Sequence, residues 1–306
     1  MALQKIPGRA IQLDSQANSD VIYFDGTDWV RLAKGEAEQV LTVNDTATAP
    51  QWGDRFVFGG TEFGYAVMGF TSSPGPTNAV DRFSFTSDTN AVDHCDAFSI
   101  GSHLSCSRSS THGYTNPGEI LSYPGPTNSI TKFAFASSVD GTDVADVLVA
   151  LSTPSGNTSS THGYVCGGQL LDVTVIVNTI QKYTTSADAN STDVGDLTET
   201  IIGASAANST TFGYRMGGTR SGPPLYTSEI IDKFPFASDT NATDVADLTA
   251  NNGNSAGCSS TTFGYHMGGW PDYIDRIEKF PFASDTNATD IANLVIGRDD
   301  LGGTQN

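Results

Sequence analysis

Oxygen ligands recur in two near-identical segments at a spacing that could bind a cation. Asp239-Thr240-Asn241-Ala242-Thr243-Asp244 and Asp285-Thr286-Asn287-Ala288-Thr289-Asp290 place Asp or Asn side chains two residues apart, as calcium-binding loops do. Both lack the glycine at the sixth position and the distant bidentate glutamate of such loops. Because Asp and Asn also initiate turns by bonding their own backbone, we interpret both segments as structural turns and predict no metal site. The candidate ligands set aside by this interpretation are Asp239, Asn241, Asp285 and Asn287.

Two histidines, His112 and His162, are candidates for acid–base chemistry, because an unperturbed imidazole titrates near neutral pH. They belong to copies of one repeated segment, and other copies place Phe63, Phe212 and Phe263 at the same position. A position that accepts either kind of ring serves packing or hydrogen bonding at the surface of the repeated unit. We therefore expect neither histidine to transfer a proton.

His94-Cys95, flanked by Asp93 and Asp96, could hold a metal ion or supply a nucleophile. The same residues also read as a diverged copy of a repeated Thr-Asp-Val-Ala-Asp segment, and we favour that interpretation. The chain has no Gly-x-Ser-x-Gly, His-Glu-x-x-His or phosphate-loop motif. We predict no catalytic residue and no cofactor, and we expect the chain not to be an enzyme. The alternative is a depolymerase acting through paired carboxylates, of which the chain has many and none that stands out.

Gly269-Trp270-Pro271-Asp272-Tyr273 is an aromatic insertion found in the last repeat copy alone. Aromatic side chains with a neighbouring acid in an exposed loop are suited to binding a glycan, which makes Trp270, Asp272 and Tyr273 the candidate ligand-binding residues. The alternative is that these aromatic side chains pack within the fold.

All of these candidates lie within a longer repeat, whose template has its clearest form in Ser259-Ser260-Thr261-Thr262-Phe263-Gly264-Tyr265-His266-Met267-Gly268-Gly269. The central glycines of the five copies are separated by 49, 50, 50 and 51 residues. A period this regular indicates an array of supersecondary units. The central glycines are Gly64, Gly113, Gly163, Gly213 and Gly264.

Each copy is followed by a segment in which large apolar residues alternate with small or polar ones, as in Ile231-Asp232-Lys233-Phe234-Pro235-Phe236. This period of two predicts a strand with one buried face. A third segment, such as Ala242-Thr243-Asp244-Val245-Ala246-Asp247-Leu248, follows a Ser-Asp-Thr-Asn turn, and a stretch rich in Ser and Gly leads to the next copy. Four short strands in about 50 residues, without a helical run, are typical of a propeller blade.

We therefore predict an all-β chain in which residues 55–306 form a closed five-bladed β-propeller, with strands from both ends of this region completing one blade. An open solenoid is the alternative, and it would require atypical capping repeats. Between blades we expect four buried rings, Phe83, Phe133, Phe234 and Phe280. Within blades we expect aspartates of the outer segment to bond the basic residue of the preceding strand. The aspartates are Asp93, Asp143, Asp193 and Asp244, and the basic residues are Arg82, Lys132, Lys182 and Lys233.

Residues 1–54 lie outside the repeat and are predicted to form a short β-rich segment. The run from Asp20 to Leu32 reads as a hairpin, with two β-rich stretches around Asp-Gly. Its apolar side chains are too many to leave in water and too few to build a domain of this length. We expect them to pack against a partner, so that the segment serves as an anchor or an oligomerisation element; a loose tail is the alternative. The residues concerned are Val21, Tyr23, Phe24, Trp29, Leu32, Val40 and Leu41.

Two features of the chain resemble known families. The Gly-Tyr-x-x-Gly-Gly element, as in Gly213-Tyr214-Arg215-Met216-Gly217-Gly218, resembles the kelch family of β-propellers. The Thr-His-Gly-Tyr and Lys-Phe-Pro-Phe-Ala-Ser elements, which recur from about Trp52 to the end, resemble repeats in structural proteins of phages, particularly marine phages. The segment from Lys34 to Trp52 resembles one common in phage tail and head fibres, where it lies in an intertwined trimer.

These resemblances imply a kelch-like propeller in a bacteriophage virion, as a tail fibre, a head fibre or a capsid decoration. The partners implied are other virion proteins and two sister chains, held as a homotrimer through the N-terminal segment. The propeller would then be exposed for recognition of a host-surface glycan. The location implied is the virion, after assembly in the host cytoplasm.

The formal net charge is −19, from 34 acidic and 15 basic residues, which is the sign opposite to that needed for binding nucleic acid. The four cysteines form no Cys-x-x-Cys pair, and we expect all of them to be free thiols. No basic flank precedes an apolar stretch near the start, and no run of eighteen apolar residues occurs. We therefore expect neither a signal peptide nor a membrane span.

Overall fold

The computed structural model describes residues 17–35, 39–43, 48–54, 62–70, 76–120, 125–170, 175–220 and 226–300. Every regular element among these residues is a β-strand, which confirms the all-β prediction for this part of the chain. The chain divides into two compact units, Met1–Val57 and Phe58–Asn306.

The smaller unit contains two antiparallel hairpins. In the first, the turn is fixed by Asp25, whose Oδ1 accepts the backbone N–H groups of Thr27 and Asp28 at 2.8 Å each. In the second, the indole N–H of Trp52 reaches back to donate to the carbonyl oxygen of Ala33 at 2.5 Å. The strands are β1 (Val21–Phe24), β2 (Trp29–Leu32), β3 (Gln39–Val43) and β4 (Pro50–Asp54).

The larger unit contains five antiparallel sheets, one for each repeat copy, arranged as the blades of a β-propeller. The template forms the second strand of each blade, and a third and an outer strand follow it. Innermost strands of neighbouring blades contact one another. For the first blade the structure describes the second, third and outer strands. The segments predicted to close the ring, 55–61 and 301–306, lie outside the described residues.

The strands of the blades, numbered in chain order, fall into these four classes. The second strands are β5 (Phe63–Phe70), β9 (His112–Thr115), β14 (His162–Cys166), β18 (Phe212–Met216) and β23 (Phe263–Met267). The third strands are β6 (Pro76–Ser84), β11 (Gly125–Ala134), β15 (Thr179–Thr184), β20 (Tyr226–Pro235) and β24 (Arg276–Pro281). The outer strands are β7 (Val92–Asp96), β12 (Thr142–Leu151), β16 (Thr192–Asp196), β21 (Thr243–Asn252) and β25 (Thr289–Asn293). The inner strands are β8 (Cys106–Arg108), β13 (Ser155–Thr158), β17 (Ser205–Asn208) and β22 (Ala256–Ser259), and the short strands β10 (Glu119–Ile120) and β19 (Thr219–Arg220) pair with β11 and β20.

The central glycine of the template is required by an aromatic ring on the third strand. Gly213 of β18 is in register with Phe234 of β20, and a Cβ atom added at Gly213 would overlap the Phe234 ring. Any larger residue would therefore displace the ring from the core. The same overlap recurs in the other blades, in the pairs Gly64–Phe83, Gly113–Phe133, Gly163–Tyr183 and Gly264–Phe280.

The hydrophobic core lies between blades as well as within them. Tyr164 of the third blade stacks on Phe236 of the fourth, with ring centroids 5.0 Å apart, and lies tilted against Phe234 at 5.4 Å. Tyr214 makes the matching contacts with the fifth blade. Of the rings predicted to be buried, Phe133, Phe234 and Phe280 are confirmed, whereas Phe83 is half-buried.

Candidate functional site

Five residues with left-handed backbone mark the ends of the five blades. Each lies shortly after an outer strand, and its φ angle falls between 52° and 59°. The backbone N–H of each of the last four donates to the carbonyl oxygen of the one before, at 2.9, 3.1, 2.8 and 2.8 Å. We call this row the junction ladder, and it places the junctions side by side at one end of the blades. Its members are His103, Thr153, Gly203, Asn254 and Asp300.

The connections between second and third strands begin beside the junction ladder. In four blades, the residue just before a ladder residue forms an antiparallel bridge with a residue at the start of such a connection. These four connections therefore begin at the same end of the propeller, which we call the loop face. The bridges are Ser102–Glu119, Ser152–Gln169, Ile202–Thr219 and Gly253–Trp270.

The structure brings the three predicted ligand-binding residues together on the loop face. The backbone N–H of Ile274 donates to the carbonyl oxygen of Gly269 at 2.9 Å, which closes a short loop between them. Within it Tyr273 is 68% exposed, Trp270 is 36% exposed, and Asp272 is exposed as well. The loop thus offers two aromatic surfaces and a carboxylate to solvent.

This loop is held in place by contacts on both sides. Trp270 exchanges two backbone hydrogen bonds with Gly253, at 2.7 and 3.0 Å. Asp272 and Tyr273 have φ angles of 72° and 49°, an uncommon conformation for two successive residues other than glycine. Beneath them Gly297 lies so close that a Cβ there would overlap the carbonyl oxygen of Tyr273. Such conformations persist where the surroundings fix them, so the loop is preorganised.

A buried ion-pair network, which the sequence interpretation missed, lies between the third and fourth blades. The guanidinium of Arg215 donates to Asp232 at 2.5 Å, and both side chains are fully buried. Asp232 also accepts the backbone N–H of Thr198, at 3.1 Å, from the preceding blade. Glu199 lies 3.8 Å from Arg215 and 2.7 Å from the partly exposed Arg220, beside the loop face. The network therefore joins two blades and the base of one connection.

A second buried pair lies between the fourth and fifth blades. Nδ1 of His266 is 3.2 Å from Glu278, and both side chains are buried. Oε1 of Glu278 accepts the backbone N–H of Thr249, at 2.8 Å, from the preceding blade. Burial alone would raise the pKa of Glu278, but its contacts with His266 and Thr249 bring that pKa below its usual value. The carboxylate therefore stays ionised in the folded protein.

The two pairs occupy equivalent positions in the fourth and fifth blades, and a comparison of the repeat copies in the sequence could have identified them. Arg215 and Asp232 are directly opposite on β18 and β20, as His266 and Glu278 are on β23 and β24. At the same place the third blade has Val165 opposite Gln181, whose Oε1 accepts the N–H of Leu148 at 2.8 Å. In all three blades a side chain on the third strand thus accepts a backbone N–H from the preceding blade. The residue opposite it on the second strand is Arg or His where the acceptor is a carboxylate, and Val where the acceptor is an amide. Aligning copies strand against strand would have shown this covariation.

The Asp-Thr-Asn turns are interblade clips. In the fourth blade, Asp239 forms an ion pair with Lys182 of the third blade. Oδ1 of Asn241 accepts the N–H of Asp196 at 3.1 Å, and the N–H of Ala242 donates to the carbonyl oxygen of Asp196 at 2.8 Å. Asp285 and Asn287 make the matching contacts with Lys233 and Asp247. Among the described residues, no group of three or more His, Cys, Asp or Glu side chains is placed to hold a metal ion.

The prediction that outer-strand aspartates bond the basic residue within a blade is wrong. Lys132 lies opposite Thr142, whereas Asp143 lies opposite Thr131, so alternation along the strands points the lysine and the aspartate to opposite faces of the sheet. Lys132 pairs instead with Asp188 of the next blade, at 2.5 Å. The lysines pair with aspartates of the next blade, and Arg82 lies over the Phe63 ring. The predicted pairs that are wrong are those of Asp93, Asp143, Asp193 and Asp244 with Arg82, Lys132, Lys182 and Lys233.

The histidines of the template make hydrogen bonds at the blade surface. Nδ1 of His112 is 2.8 Å from the hydroxyl of Thr111, and His162 has the same contact with Thr161. Burial lowers the pKa of both histidines, and the neighbouring lysines Lys132 and Lys182 lower it further. Both therefore favour the neutral form, and the predicted hydrogen-bonding role is confirmed.

His94 and Cys95 contribute to the packing between the first two blades. Nε2 of His94 lies 2.9 Å from the carbonyl oxygen of Ala134, and Cys95 belongs to the core formed with Val80 and Phe133. Burial raises the pKa of Cys95 to about 11, so its thiol stays protonated near neutral pH. The four cysteines, Cys95, Cys106, Cys166 and Cys258, are free, as predicted.

The smaller unit exposes several of the predicted anchoring residues. Phe24 and Trp29 close the first hairpin, with ring centroids 5.7 Å apart, and about half of each side chain is exposed. Leu41 is also exposed, whereas Val21, Tyr23 and Leu32 are half-buried. The side chain of Val40 lies outside the described residues.

Comparisons with known proteins support the architecture. No family model and no curated protein matches the chain. The chain is similar to the solved structure titled "Structure of YjhT", with a TM-score of 0.66 and 9% sequence identity, over 79% of this chain and 84% of that one. Within the described residues, no helix is long and apolar enough to cross a membrane. Sheet topology and structural likeness together show that the repeat region is a five-bladed β-propeller.

Proposed function

We propose that the chain is a recognition component of a bacteriophage virion. In this proposal residues 1–54 attach to the particle as a homotrimer, and the loop face of the propeller binds a host-surface glycan. The observation that carries the proposal is the preorganised loop of Trp270, Asp272 and Tyr273, which presents aromatic surface and a carboxylate on one face.

The chemistry of the loop fits a sugar. An aromatic ring buries the apolar face of a pyranose, while a carboxylate accepts hydrogen bonds from its hydroxyl groups. Because Gly253 and Gly297 hold the loop backbone from both sides, little ordering of the loop is left to occur on binding. A ligand would therefore lose less affinity to ordering than it would on a mobile loop.

Attachment through the smaller unit is supported by its exposed apolar side chains. Phe24, Trp29 and Leu41 leave about half of their surface in water within a unit of 57 residues. Exposed apolar groups gathered in a small unit are typical of an interaction surface. The segment from Lys34 to Trp52 resembles phage fibre segments, which supports the virion as the partner. Several copies on one particle would strengthen weak propeller–glycan contacts through multivalency.

Tyr273→Ala and Trp270→Ala are expected to weaken glycan binding by the full chain at least about tenfold, since aromatic side chains of this kind dominate binding energies. The measurement is a glycan array, followed by titration of the best-bound glycan. Val139→Ala is the matched control, because Val139 is 66% exposed but lies between β11 and β12, at the end of the blade opposite the loop face.

Binding that Tyr273→Ala leaves unchanged, or no glycan binding above background, would count against recognition through this loop and leave a purely structural decoration. Release of shorter sugars from the bound glycan would show instead that the chain is an enzyme.

A further inference from the structure

One position of the repeat lies at the base of the connections on the loop face. Its residues come two before a member of the junction ladder. In three blades the backbone carbonyl oxygen at this position accepts the N–H of the second glycine of the Gly-Gly pair in the same blade, at 2.9, 2.7 and 2.8 Å. The backbone is therefore equivalent in these blades, whatever side chain the position carries. The bonds join Gly168 to Ile201, Gly218 to Asn252, and Gly269 to Arg298.

The side chains at this position pack under the Gly-Gly pair of the next blade, and in two blades they are apolar. Leu151 of the second blade and Ile201 of the third are buried in hydrophobic clusters. A Cβ atom added at Gly168 would lie 3.3 Å from the Leu151 side chain, and one added at Gly218 would overlap that of Ile201. An aliphatic group thus supports the start of the connection in the third and fourth blades.

The fourth blade has Asn252 at this position, beneath the connection that carries the aromatic insertion. Asn252 is fully buried, and a Cβ atom added at Gly269 would overlap its Oδ1. Its Nδ2 donates to the carbonyl oxygen of Gly268 at 2.7 Å, whereas its Oδ1 has no hydrogen-bond partner among the described residues. Burying an amide with an unpaired oxygen costs stability that a leucine or isoleucine would not cost. Stability of the fold therefore does not explain the asparagine.

The fourth blade holds both peptide groups that flank Gly269. Asn252 binds the carbonyl oxygen of Gly268 through its side chain, and the carbonyl oxygen of Gly253 accepts the N–H of Trp270 at 2.7 Å. Gly269 itself has a φ angle of 115°, and glycine has more backbone freedom than other residues. An aliphatic side chain at position 252 would keep the bond to Trp270 and remove the bond to Gly268.

We propose that Asn252 is a positioning residue for the ligand-binding loop, an inference that rests on the proposed recognition of a glycan. Its amide fixes the peptide group before Gly269 and so sets the direction in which Trp270 and Tyr273 leave the propeller. A rule of the repeat is broken, at a cost in stability, where a preorganised loop is needed. The proposal therefore predicts that a substitution at this position can stabilise the fold and still weaken ligand binding.

The test is Asn252→Ile, which copies the third blade at this position. We expect the urea midpoint of unfolding to stay at or above that of the wild type, because a buried amide is replaced by an apolar group. Hydrogen exchange of the backbone N–H groups of Trp270 and Ile274 should become about fivefold faster, and affinity for the best-bound glycan of the array should fall about fivefold. Ile201→Leu is the matched control at the equivalent position, and it should change neither quantity.

Exchange and affinity equal to those of the wild type would overturn the proposal, as would a loss of affinity that only accompanies a lower unfolding midpoint. Asn252→Val, which has a smaller apolar side chain, takes the place of Asn252→Ile if the larger group prevents folding. Hydrogen exchange is measured without a ligand, so it decides the role of Asn252 even if the wild-type chain binds no glycan. Absence of glycan binding beside faster exchange in the variant would contradict the proposed function and not the positioning role.

Discussion

Asp232→Ala is expected to reduce the free energy of unfolding by about 3–5 kcal/mol, the usual result of removing one partner from a buried ion pair. Arg215 would lose the carboxylate that lies 2.5 Å from its guanidinium in a fully buried position. The backbone N–H of Thr198 would also lose its acceptor between the third and fourth blades. Equilibrium denaturation in urea measures the loss.

The equivalent positions of another blade show which substitutions should restore the lost stability. The third blade fills the same two positions with Val165 and Gln181 and keeps the acceptor for the preceding blade. Arg215→Val combined with Asp232→Gln should therefore recover most of the stability that Asp232→Ala loses, since a buried ion pair can be replaced by well-packed groups at little cost. Wild-type stability of Asp232→Ala would contradict the network, and a double variant as unstable as the single one would contradict the repeat equivalence.

Phe234→Ala is expected to reduce the free energy of unfolding by about 3–5 kcal/mol, because the removed ring leaves a cavity that the surrounding sheets cannot fill. Phe234 is 2% exposed and lies between the backbone of Gly213 and the ring of Tyr164 in the neighbouring blade. Chemical denaturation followed by tyrosine and tryptophan fluorescence checks the value.

Phe98→Ala provides the comparison, since Phe98 is also a phenylalanine of the propeller but is 57% exposed. We expect its unfolding free energy to stay within about 0.5 kcal/mol of wild type. Equal losses at Phe98 and Phe234 would mean that the core does not lie between the blades.

The blades could be predicted from the sequence because their causes are local and repeated. The pairing of Gly213 with Phe234 has a counterpart in every copy because a glycine must face an aromatic ring on the next strand. Alternation along the segment from Ile231 to Phe236 follows from a strand that buries one face. Such constraints act within about 25 residues and therefore appear in each repeat as a fixed pattern.

Polar contacts between blades could not be predicted in the same way. Lys182 pairs with Asp239, which is 57 residues away. Asp193 is closer in the sequence, and was therefore predicted as the partner. The choice depends on which face of the sheet each side chain occupies, and a one-residue register shift between Ile180 and Gln181 determines that face. Spacing alone does not reveal such an irregularity.

The loop of Trp270, Asp272 and Tyr273 could be identified from the sequence, since it interrupts the repeat once. The residues that hold this loop in place could not be identified, because Gly253 and Gly297 belong to other segments of the sequence. The buried charges of Arg215 and Asp232 were missed for another reason. Each of them looks like ordinary variation within its own strand, and only their pairing across strands shows that they belong together.

Deletion of residues 1–50 tests the central proposal most directly, with incorporation into phage particles as the measurement. If the smaller unit attaches the chain to the virion, the truncated protein should be absent from purified particles. Circular dichroism and light scattering should still show a folded, monomeric propeller, which excludes loss by misfolding. Truncated protein found on particles at the level of the full chain would contradict the attachment role.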